Sequence, residues 1–148
     1  MTAMSRRMAN ITALGLTLTL SACSQTPAET RESPRETAVI RVDLPYEQVS
    51  GNVARNAKRC YEGGTVAWHN TTDAREVKPG ELTTINIYLK GMLGESRAGV
   101  SIDVAKTGTG SEVRYFVASG FAVFTKWRAV IEGWASGKSS DCGKPRGA

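Results

Sequence analysis

Four runs of strict alternation between residues 66 and 117 constrain this chain more than any other feature. Val66 and Trp68 share one face of the first run, and Ile85, Ile87 and Leu89 one face of the second. Val100, Ile102 and Val104 do so in the third, and Val113, Tyr115 and Val117 in the fourth. Successive side chains on a strand point to opposite faces, so period two in β-branched and aromatic residues predicts half-buried strands. Lys78-Pro79-Gly80, residues 91–94 and Gly108-Thr109-Gly110 supply turns between the runs, so neighbours are expected to be antiparallel.

A sheet with one apolar face needs a cover, and the flanking segments have helical spacing. After a β-rich run at residues 38–42 and Asp43-Leu44-Pro45, residues Tyr46, Val49, Val53, Ala57 and Cys60 recur at three and four. Gly51 weakens this helix by about 1 kcal/mol relative to Ala without breaking it. Its end is expected at Glu62-Gly63-Gly64, with a glycine in the left-handed cap. Beyond Gly120, Val123, Phe124, Trp127, Val130, Ile131 and Trp134 form one broad stripe that stops at Gly137. The expected fold is α+β in the order β-α-β-β-β-β-α, an antiparallel sheet with two helices packed on one face and solvent on the other. That order of elements resembles the helix-grip domains of the C lipoprotein of the bacterial barrel-assembly machinery, over residues 38–136, without a shared residue motif.

The N-terminus carries a different signal. Arg6 and Arg7 precede residues 9–22, an uncharged stretch of 14 residues. A bilayer-spanning helix needs roughly 20 apolar residues, so this length is that of an export signal. It has no polar face, which argues against a helix of the mature fold. Leu20-Ser21-Ala22-Cys23 resembles the lipobox of bacterial lipoproteins. The resemblance implies a Cys23 thiol that accepts diacylglycerol, small residues that let the signal peptidase cut before it, and a lipidated Cys23 as the new N-terminus. Each buried methylene contributes about 0.8 kcal/mol, so two or three acyl chains make the membrane a permanent partner. The residues after Arg6-Arg7 lack the apolar character of the twin-arginine route, and ordinary secretory export is expected. Ser24 stands where many inner-membrane lipoproteins carry Asp, so the resemblance implies the outer membrane, facing the periplasm.

Residues 24–37 contain Ser, Thr, Pro, Glu, Arg and Gln with no large apolar side chain, the composition of a disordered tether. Such a tether spans roughly 20 Å on average and about 50 Å at full extension, enough to hang a domain clear of the lipid. The expected organisation is a removed leader at 1–22, a lipidated N-terminus and tether at 23–37, one domain at 38–143 and a tail at 144–148.

Three cysteines are an odd number for an exported chain, and lipid on Cys23 removes the oddness. Cys60 and Cys142 are then expected to form a disulfide in an oxidising compartment, with two unpaired thiols as the alternative. The other candidate sites resolve less sharply. Residues 132–139 imitate a phosphate loop, but the glycine spacing is one residue short and the segment ends a helix instead of opening one. His69 is the single histidine, and no Gly-x-Ser-x-Gly elbow accompanies it, so it reads as solvent-facing or turn-capping. Trp68, Trp127 and Trp134 are expected in the core, Trp134 partly exposed in the last helical turn. Trp127 and Trp134 are the candidates for a ligand or partner surface.

Losing Arg6 and Arg7 from the 19 basic residues leaves 17 against 14 acidic, a net +3. These are scattered along the chain, which argues against nucleic acid as a partner. No catalytic set, metal site or cofactor is expected. The leading expectation is a non-enzymatic envelope lipoprotein that binds another envelope protein as an accessory or scaffold. The alternative is a carrier or sensor of a small apolar ligand held between the sheet and the C-terminal helix.

Overall fold

The computed structural model describes residues 25–64, 67–122 and 125–143. The leader, Cys23, Val66, Val123, Phe124 and the tail at 144–148 lie outside the described residues. The elements are α1 (Pro27–Glu32), β1 (Glu36–Val42), α2 (Tyr46–Tyr61), β2 (Gly63–Gly64), β3 (Trp68–Lys78), β4 (Leu82–Gly91), β5 (Ser96–Thr107), β6 (Gly110–Val117), α3 (Ser119–Ala122) and α4 (Trp127–Ser136). The strands form one antiparallel sheet in the order β1-β6-β5-β4-β3-β2. The α+β class and the antiparallel meander expected from the alternation are both present.

Register places Ile85 opposite Ile102 and Ile102 opposite Tyr115, so the alternating residues of three strands line up on one face. On that inner face Ile85, Ile87, Val100, Ile102, Val104, Val113 and Val117 are fully buried. Helix α2 lays Tyr46, Val49, Val53 and Ala57 on it, and α4 adds Trp127, Val130, Ile131, Trp134 and Ala135. Burying a side chain of this size stabilises by roughly 1.5–3 kcal/mol, and this core is what holds both helices to the sheet.

The outer face differs from expectation, and so does the tether. Residues 27–32, expected within a disordered segment, are the helix α1, packed on β5 and β6. The local cause is a capping box. Glu29 N–H donates to Thr26 Oγ1 at 3.2 Å, and Thr26 N–H donates to Glu29 Oε2 at 2.6 Å. The backbone N–H of Thr26 thereby holds the Glu29 carboxyl below its ordinary value. Docking comes from Thr30, fully buried, whose hydroxyl lies 2.9 Å from the Ala98 carbonyl, and from Arg31, which forks onto Asp103 at 3.2 and 2.7 Å. The Arg31 guanidinium also lies 5.8 Å from the Phe116 ring centroid. Asp103 and Phe116 alternate with Ile102 and Tyr115, so α1 covers part of the face expected to meet solvent. Beside it Ser101 and Asn86 are buried and hydrogen-bonded to each other at 2.8 Å. The ordering of α1 is tertiary: a six-residue helix without its own apolar stripe needs a surface to dock on.

Two further boundaries move. Helix α2 caps at Glu62 in an extended conformation, and Gly63 and Gly64, at φ 125° and 141°, pair with Asn70 and His69 instead of forming the left-handed cap. The C-terminal stripe is divided: α3 is one turn, and α4 starts at Trp127 and ends, as expected, on Gly137 at φ 69°.

Candidate functional site

A cavity of about 380 Å³ lies at the end of the sheet where α2 stops, β3 begins, and β6 passes through α3 into α4. Its apolar wall comes from Tyr61, Leu89, Ala98, Ala118, Phe121 and Trp127, and its polar groups from Gln25, Asn70, Arg97 and Thr125. The size falls at the small end of ligand cavities, roughly 300–1,000 Å³.

Gly99 creates the space for one wall. Ile87 pairs with Val100 but Tyr88 pairs with Ala98, so Gly99 is the extra residue of a β-bulge in β5. A Cβ there would come 2.4 Å from the Phe121 ring, too close for any other residue without moving that ring. The Gly99 carbonyl accepts from Ala118 N–H at 2.8 Å, which turns the chain out of β6 into α3. Phe121 then accepts through its carbonyl from Trp127 Nε1 at 3.1 Å, setting the indole against the cavity.

The opposite wall is an aromatic cluster held by the disulfide. Tyr61 stacks on Trp127 at 5.3 Å between ring centroids and meets Trp134 edge-on at 6.2 Å. Its hydroxyl donates to the Cys142 carbonyl at 3.0 Å. Cys60 and Cys142 are bonded, as expected, with Cα atoms 5.2 Å apart, so the chain after α4 is pinned to the last turn of α2. Trp134 Nε1 donates to the Asp141 carbonyl at 2.7 Å, and Arg59 donates to the Ser140 carbonyl. Burial raises the Tyr61 hydroxyl pKa, with the Asp141 charge adding to the rise and a Thr125 hydrogen bond opposing it.

Of the two tryptophans expected at a ligand surface, Trp127 borders the cavity. Trp134 does not: it is fully buried, where partial exposure was expected, because the disulfide folds residues 139–142 back over the last turn of α4. Trp68, expected in the core, is 46% exposed, because it starts β3 at the sheet end. His69 is on β3 opposite Gly64, exposed and not among the residues lining the cavity. Asn70, Phe121 and Gly99 escaped sequence reading. Only the break in alternation at Ala98-Gly99 marks the place.

Asn70 lines the cavity, and its Oδ1 is shut off from solvent with no hydrogen-bond partner among the described residues. A buried amide oxygen left unpaired costs about 1–3 kcal/mol. The described lining contains no carboxylate, thiol or imidazole, and no group of metal-ligating side chains occurs among the described residues. Comparisons with protein-family models, curated proteins and solved structures find no match for this chain.

Proposed function

We propose that this protein is a lipid-anchored module of the bacterial cell envelope that binds a small apolar ligand without transforming it. The cavity carries this reading. Its aromatic and aliphatic wall favours an apolar body, and Gln25, Asn70 and Thr125 in its lining favour a ligand with one polar end. The resemblance of residues 20–23 to a lipobox supports the anchor, and the disulfide is in keeping with an oxidising compartment. Sequence reasoning put a protein partner first; the apolar recess favours the small molecule.

Native mass spectrometry of full-length protein taken from its own membrane in nanodiscs tests this. One discrete bound molecule is expected on the wild type and none on Ala118→Phe, which places a ring in the cavity. No bound molecule on either protein, or the same one on both, would contradict the reading and return the lead to an envelope protein partner.

A further inference from the structure

We infer that the sheet end carrying Trp68, Met92 and Leu93 lies against the lipid surface, so that the domain docks on the membrane through its own side chains. The inference rests on the reading of Cys23 as the lipidated residue. The decisive observation is how little chain separates that residue from the fold. Ala98 N–H donates to the Gln25 carbonyl at 2.7 Å, and α1, which follows at once, is fixed on β5 by Thr30 and by the Arg31–Asp103 pair. Only Ser24 stands between Gln25 and Cys23. Two residue steps reach at most roughly 7 Å. One headgroup layer is about 5–8 Å thick, half the difference between a whole bilayer and its hydrocarbon core. An acylated Cys23 therefore brings the β5 end of the domain down to headgroup level. The domain cannot hang clear of it.

The surface at that end suits the position. Of the five large apolar side chains that are exposed among the described residues, three gather there: Trp68 at 46%, Met92 at 68% and Leu93 at 89%. Trp68 pairs with Gly91, and Met92 N–H donates to the Ala67 carbonyl at 3.0 Å, so the start of β3 and the tip of the β4–β5 hairpin form one edge. The other two, Val39 and Val77, lie on β1 and near the far end of β3. Gly94, at φ 87°, closes the hairpin turn that presents Met92 and Leu93. Tryptophan favours the boundary between headgroups and acyl chains. Lys90 and Arg97, both exposed, flank the hairpin and suit anionic headgroups, while the Glu95 carboxyl turns in toward Gly91. The cavity shares this end, with Arg97 and Leu89 in its lining, so a ligand drawn from the bilayer has a short path into it.

Bromine on lipid acyl chains quenches tryptophan only at close range. Trp127 and Trp134 are 1% and 0% exposed, which leaves Trp68 as the side chain to be reached. Full-length protein is placed in vesicles of phosphatidylethanolamine and phosphatidylglycerol, with brominated or plain chains. Its emission is read together with the intact mass, which reports lipid on Cys23 independently. The wild type is expected to lose emission on bromination, Trp68→Phe to lose most of that response, and Leu93→Glu to reduce it with the fold and disulfide intact. A lipidated protein whose emission ignores bromination, or whose response persists undiminished in Trp68→Phe, overturns the docking alone. An unmodified Cys23 overturns the anchor and the docking with it.

Discussion

Gly99 decides where the cavity wall stands. Its missing Cβ is what lets the Phe121 ring lie on β5, so Gly99→Val must push the ring toward the cavity. Overpacking of this kind costs about 1–3 kcal/mol, and the urea midpoint is expected to fall while any ligand affinity is lost. Tyr115 shows a second residue-scale effect. Burial, and then its hydrogen bond to Glu36 at 3.0 Å, raise its pKa far above the ordinary value; burial raises Tyr61 and Tyr88 as well. Because the folded values are raised, the unfolded chain gives up these protons first. The stability they contribute is complete below the ordinary value of 10.0 and is lost as pH rises above it. Denaturation midpoints are therefore expected to hold level toward pH 10 and then drop, less steeply in Tyr115→Phe. At this scale the sequence was only partly legible. Trp68 and Trp134 exchanged places relative to expectation because position in a helix or strand does not reveal what folds back over it. Residues 139–142 cover Trp134, and nothing in the periodicity announces that.

Among the elements, α1 is the piece that changes the picture. It holds through its cap and its docking, so Thr26→Ala is expected to cost about 0.5–2 kcal/mol. Amide exchange should rise through residues 27–32 first, with the sheet unaffected. A uniform loss of protection would mean that α1 has no separate role. Thr30→Val leaves the Ala98 carbonyl without its hydroxyl partner and should destabilise by about 1–3 kcal/mol, read as a shifted urea midpoint. The disulfide joins elements 82 residues apart, and chain entropy alone gives roughly 4–5 kcal/mol for such a loop. The Cys60→Ser, Cys142→Ser double variant is expected to melt far below the wild type and to expose the aromatic cluster. The strands and the two long helices were legible because burial on one face imposes a period. Helix α1 was not, since its polar residues satisfy a cap and one charged pair and leave no apolar stripe to read. The cavity was legible only as a place for Trp127, because a bulge and a one-turn helix build it and neither has a period.

Across the whole molecule, one end of the sheet gathers the start of the described chain, the cavity, the hairpin with Met92 and Leu93, and the aromatic cluster around the disulfide. The opposite end carries charged turns such as Lys78 and Glu81, paired at 3.5 Å. Among the described residues no helix is long and apolar enough to cross a membrane. The proposed lipid on Cys23 and the proposed membrane contact both fall at the end with the cavity and the hairpin. Everything proposed about orientation depends on that cysteine. Intact-mass and peptide mass spectrometry of the protein extracted from cell envelopes therefore tests the account most directly. The expected result is a chain that begins at Cys23, carries acyl chains on that residue, and keeps Cys60 joined to Cys142. A chain that retains residues 1–22, or begins at Cys23 with an unmodified thiol, would contradict it.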